Sequence, residues 1–152
     1  MNKLTKILFF VLLCFLGINS SFCATLKINN IKFDNSDKII LINSTGDIEN
    51  ANATRGALSN PDRVYFDISN AQLMTPSVSY NVSNSVISEV SISQFTLSPD
   101  VVRIVLKYDK NKVKTGAEAF NITKSGSNFF IKYGNKILNN SNFSSLYTKN
   151  AP

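Results

Sequence analysis

The sequence predicts an all-β fold, a two-sheet β-sandwich built from two similar halves. Three observations carry the prediction. From Leu26 onward apolar residues recur at period two in short segments rich in Val, Ile and Phe. Those segments are separated by clusters of Asn, Ser, Gly and Pro, the residues that tight turns favour. No stretch carries the 3.6-residue periodicity of a helix.

Taken in order, the expected strands are residues 26–33, 38–43, 63–69, 86–95, 101–108, 119–123 and 128–133, with a weaker one at 48–54. Asn35-Ser36-Asp37 turns the first strand into the second. Asn60-Pro61-Asp62 leads into the third, Ser98-Pro99-Asp100 joins the next two, and Ser125-Gly126-Ser127 closes the last hairpin. A diffuse repeat underlies the series. Residues 28–33, 38–42 and 63–68 parallel residues 87–92, 103–108 and 128–133, so each half is a hairpin plus a returning strand, and two halves close over each other.

The 152 residues leave room for one domain. Lys3 and Lys6, an apolar run over residues 7–18 and a polar stretch ending at Cys23-Ala24 make residues 1–23 a signal peptide. Cleavage falls after Cys23, which puts Ser21 three positions back, or after Ala24. Lipid attachment at Cys23 fits less well because Phe22 stands where a small residue is wanted. The run is too short to span a bilayer, so no membrane span remains after cleavage. Residues 24–134 form the domain, and residues 135–152, rich in Asn and Ser, form a polar tail expected to be poorly ordered.

Composition excludes several chemistries. The chain has no histidine, so Ser-His-Asp and Cys-His arrangements and His-ligated zinc cannot be assembled from it. Both cysteines, Cys14 and Cys23, lie in the leader. No catalytic residue, metal or cofactor is expected. A hydrolase that used carboxylates alone would still need paired acids in a cleft. The net charge of +6 falls to +4 when Lys3 and Lys6 are removed with the leader. Only Lys107, Lys110, Lys112 and Lys114 cluster, a pattern that fits a solvated loop better than a nucleic-acid surface, so no nucleic-acid partner is expected.

The segment Asn60-Pro61-Asp62-Arg63-Val64-Tyr65-Phe66-Asp67-Ile68 is the most informative. Alternation puts Arg63, Tyr65 and Asp67 on one face and Val64, Phe66 and Ile68 on the other. A ring flanked by a cation and a carboxylate suits a sugar or peptide: the ring covers an apolar sugar face while the charged groups hydrogen-bond. The alternative is an ordinary solvated sheet face with Arg63 and Asp67 paired to each other. In residues 101–108, Arg103 and Lys107 share a face with Val101 and Val105. That environment makes Arg103 a partly buried guanidinium that holds a carboxylate or backbone carbonyls, in either a structural or a binding role.

Pro61-x-Arg63-Val64-x-Phe66-Asp67-Ile68, then Val90-x-Ile92-x-Gln94-Phe95, then Val102-Arg103-Ile104-Val105-Leu106 resemble the AMIN domain family, over about residues 24–134. AMIN domains precede periplasmic N-acetylmuramoyl-L-alanine amidases, occur in type IV pilus secretins and stand alone in exported proteins. The resemblance implies a two-sheet sandwich that binds peptidoglycan and localises to the periplasm or cell envelope. Arg63, Asp67, Gln94, Phe95 and Arg103 match the family pattern. Ser91 replaces a common arginine, Ser93 a common glycine and Lys107 a usual acidic residue, which thins the charged face. The expected ligand-binding set is Arg63, Tyr65, Asp67, Gln94 and Arg103, and the expected partner is peptidoglycan. The competing reading is an adaptor that docks on an amidase or secretin complex through the same face or an edge strand.

Overall fold

The computed structural model describes residues 25–34, 39–82 and 86–134. The predicted leader, the first turn, the start of the second strand and the polar tail lie outside the described residues.

Ten strands form two five-stranded sheets. In chain order they are β1 (Leu26–Asp34), β2 (Ile39–Thr45), β3 (Ala53–Leu58), β4 (Arg63–Ser69), β5 (Ala71–Leu73), β6 (Val78–Asn81), β7 (Ile87–Leu97), β8 (Asp100–Tyr108), β9 (Phe120–Ser125) and β10 (Asn128–Tyr133). One sheet has the order β5-β1-β2-β10-β9 and the other β3-β4-β8-β7-β6. All pairings are antiparallel except that of β5 with β1.

The strand orders give the repeat a physical meaning. Renaming β1, β2, β3 and β4 as β7, β8, β9 and β10 turns β1-β2-β10-β9 into β7-β8-β4-β3, which is the run found in the second sheet. Each half therefore places its first hairpin in one sheet and its second hairpin in the other. The halves do not stack as two separate layers; they interleave, and the central pairs β2-β10 and β4-β8 join one half to the other.

Alternation explains which face is core. On β4, Val64, Phe66 and Ile68 are fully buried, and they meet Val102, Ile104 and Leu106 of β8 in register. Ile28, Ile42, Phe129 and Ile131 supply the facing layer. Burying one such side chain contributes about 1.5–3 kcal/mol, so this layer dominates stability.

The two sheets are tied along their edges. Arg55 on β3 donates from Nη1 to the carbonyl of Phe120 at 3.1 Å and to that of Glu118 at 3.4 Å, linking β3 to the neighbourhood of β9. The β9–β10 turn is two residues long, and Gly126 takes its first position at φ +57°, a conformation that favours glycine. Three departures from the expected strands share a cause. The strand expected at 48–54 forms at Ala53–Leu58, while β5 and β6, of three and four residues, were not expected. These are edge strands whose positions are set by pairing partners rather than by their own alternation. A 3-10 turn at Gly116–Ala119 precedes β9, which starts at Phe120.

Candidate functional site

The outward face of the β3-β4-β8-β7-β6 sheet collects four of the five expected residues. Its centre is a cross-strand pair: Asp67 on β4 stands opposite Arg103 on β8. Arg103 Nε donates to Asp67 Oδ1 at 2.6 Å and Nη2 to Oδ2 at 2.7 Å, a two-pronged, charge-assisted contact. This hydrogen bonding holds the Arg103 proton more tightly than in a free guanidinium, with burial acting the other way and the nearby negative charge of Asp67 adding to it. The pairing differs from the Arg63–Asp67 pair considered for a solvated face. Both Asp67 oxygens are engaged by Arg103, and Arg63 is left to other work.

Two rings flank that guanidinium. The carbon at its centre lies 4.4 Å from the Tyr65 ring centroid and 3.4 Å from the Phe95 ring centroid. Tyr65, Arg103 and Phe95 thus stack across β4, β8 and β7, with the guanidinium carbon over both rings. Phe95 is half exposed, at 50%. Counting from inward-facing Val90 and Ile92, parity sends Phe95 outward; an aromatic on the polar parity was the sequence signal for its role.

The Tyr65 ring depends on a glycine. Gly56 on β3 is its register partner, and a β-carbon there would come within 2.1 Å of the Tyr65 ring carbon Cζ. The ring lies across the backbone of β3 in space that only glycine leaves open. Gly56 has no mark in the sequence beyond its place in a segment without strong alternation.

On the same face as the stack, Arg63 on β4 stands opposite Lys107 on β8. The two border a shallow depression of about 170 Å3, lined also by Pro61, Glu89, Ser91 and Val105. Arg63 Nε is shielded from solvent and has no hydrogen-bond partner. Of the lysine cluster, Lys107 alone sits on a strand; Lys110, Lys112 and Lys114 follow it in the loop, where Lys112 Nζ is 3.7 Å from Asp109.

Gln94 does not join this face. Its side-chain nitrogen donates to the carbonyls of Thr96 at 2.8 Å, Val101 at 3.1 Å and Ala71 at 3.2 Å, and its oxygen accepts from the Leu73 amide at 2.7 Å. The residue sits beside a bulge in β7 and fastens β5 of one sheet to β7 and β8 of the other. Its polarity serves backbone groups that the bulge and the sheet corner leave without ladder partners.

Among the described residues, no three His, Cys, Asp or Glu side chains converge as metal ligands, and no helix is long and apolar enough to cross a membrane.

The fold and face define a two-layer β-sandwich with an aromatic–guanidinium stack next to a pair of cations. The AMIN domain model matches residues 28–132, and the chain belongs to the AMIN domain family. The family occurs in periplasmic or envelope proteins as a non-catalytic targeting domain. No match was found among curated proteins or among solved structures.

Proposed function

We propose that this protein is an exported, non-catalytic domain that binds peptidoglycan in the periplasm or cell envelope, and that the binding face is the outer surface of the β3-β4-β8-β7-β6 sheet. The observation that carries the reading is the stack Tyr65–Arg103–Phe95, in which Phe95 stays half exposed over a guanidinium already paired with Asp67. An exposed aromatic ring held in this way suits the face of a sugar ring or a peptide plane, and the neighbouring cations suit an anionic polymer. Arg63 and Tyr65 contact the ligand directly in this reading. Asp67 and Arg103 build the surface, and Gln94 acts through the fold alone. Residues 1–23 serve as the export signal, and the absence of histidine from the chain fits a domain that localises rather than cleaves.

Retention on purified sacculi tests the proposal. The purified protein co-sediments with insoluble wall if the reading is right. Retention only in the presence of a secretin or amidase partner favours the adaptor reading, for which β6, at the end of its sheet's strand order, is a place to dock.

A further inference from the structure

Strands β4 and β8 carry two charged cross-strand pairs four residues apart on one face, and they are opposite in kind. Asp67 facing Arg103 is complementary and fully engaged. Arg63 facing Lys107 sets like charges directly opposite each other, an arrangement that weakens a sheet. No ion pair among the described residues involves Arg63 or Lys107. Glu89 on β7 lies opposite Lys107 from the other side and lines the same depression, its Oε1 accepting from Ser79 Oγ of the edge strand at 2.5 Å, so the row Glu89–Lys107–Arg63 keeps a net positive charge. Arg63 Nε is removed from water and donates to nothing, which is unfavourable for a buried donor.

We propose that Arg63 and Lys107 form a carboxylate-binding subsite, and that the carboxylate is one carried by the peptide stems of peptidoglycan. This rests on the wall-binding reading and names the chemical group recognised. A carboxylate brings two oxygens, which match the fork of a guanidinium and the point charge of an ammonium together, and its charge relieves the repulsion between them. The depression of about 170 Å3 has room for a carboxylate and the carbons next to it. Val105 and Pro61 supply apolar walls for those carbons, and Ser91 a hydroxyl. The stem then runs from this subsite toward the Tyr65–Arg103–Phe95 stack and its half-exposed Phe95 ring.

The test titrates 15N-labelled protein with a soluble stem tetrapeptide and, separately, with inorganic phosphate. A parallel experiment measures retention on sacculi before and after their carboxylates are converted to methylamides. The tetrapeptide should shift the Arg63 Nε–H resonance and the amides around Arg63 and Lys107, and methylamidated sacculi should retain less protein than untreated ones. The variant Lys107→Gln removes one cation from the subsite without setting a second carboxylate opposite Glu89, so it should bind the tetrapeptide about tenfold more weakly or worse while melting close to the parent. Equal retention on methylamidated and untreated sacculi overturns the subsite and leaves wall binding in place. Failure of untreated sacculi to retain the protein overturns the wall-binding reading, and the subsite is then decided by the tetrapeptide titration: no shifts at Arg63 and Lys107 refute it. The same shifts at lower phosphate than tetrapeptide concentration make it a phosphate site and refute the carboxylate assignment.

Discussion

Arg103 and Asp67 face each other across β8 and β4 and are joined by two hydrogen bonds, 2.6 and 2.7 Å long, with side chains only 22% and 21% exposed. The pair holds the guanidinium against which the Tyr65 and Phe95 rings stack. It also neutralises the charge at the centre of the face, so ligand affinity falls to the groups around it.

A double-mutant cycle on this pair should show coupling. Asp67→Ala and Arg103→Ala are each expected to lower stability, and the double variant to lose less than the sum, by about 1 kcal/mol after allowance for partial solvent screening. Urea denaturation of the four proteins measures it.

Gly56 should matter through Tyr65. A methyl group at position 56 would lie 2.1 Å from the ring carbon Cζ and 2.2 Å from the phenolic oxygen, so Gly56→Ala must lift the ring off β3. Wall retention is expected to fall to the level of Tyr65→Ala, and combining the two substitutions should add nothing. Additive losses would mean that the ring's seat on the glycine is irrelevant to binding.

Gln94→Leu leaves three carbonyls and the Leu73 amide without their side-chain partner and should cost about 3 kcal/mol. Gln94→Glu is more diagnostic. An ionised carboxylate cannot donate to the three carbonyls, so its pKa in the fold rises above the ordinary value. The stabilising contribution is present at low pH, with the proton on, and is lost as pH rises through the raised pKa. Relative to the parent, this variant should be least stable at neutral pH and recover toward pH 4; thermal melts across that range check it.

Tyr108 gives an alkaline counterpart. Burial first, and the charge of Asp62 second, hold its phenol above the usual value of 10.0; its ring packs 5.3 Å from that of Phe120. The stability tied to the protonated phenol is complete below pH 10 and is lost as pH climbs through the raised value. Tyr108→Phe should therefore lose less stability than the parent between pH 9 and pH 11.5 in urea denaturation.

How much of this was legible in the sequence varies by element, for physical reasons. β4 was read residue by residue because one strict alternation, with Arg63, Tyr65 and Asp67 out and Val64, Phe66 and Ile68 in, spans the whole strand. β5 and β6 were missed because three and four residues are too few for a period to register. Whether Asp67 pairs with Arg63 or with Arg103 depends on the register between β4 and β8, which no local pattern encodes. Gln94 was read as a ligand contact because its matching position said nothing of the backbone groups that a bulge at the sheet corner would bring to it. Alternation over residues 101–108 put Lys107 on the face of Arg103, but its place opposite Arg63 rests on the same β4–β8 register.

The central claim is that one sheet face binds the wall while the opposite side of the same strand holds the fold. The most direct measurement is sacculus retention together with thermal unfolding for the parent, Arg63→Ala, Phe95→Ala and Phe66→Ala. Phe95→Ala, at a half-exposed ring, and Arg63→Ala, which removes an unpartnered buried donor opposite Lys107, should lose retention with stability changed by only about 0.5 kcal/mol, whereas Phe66→Ala should lose about 3 kcal/mol or more to a core cavity. Parent-like retention by both Arg63→Ala and Phe95→Ala would contradict the account, because the face would then be a solvated sheet surface with no part in binding.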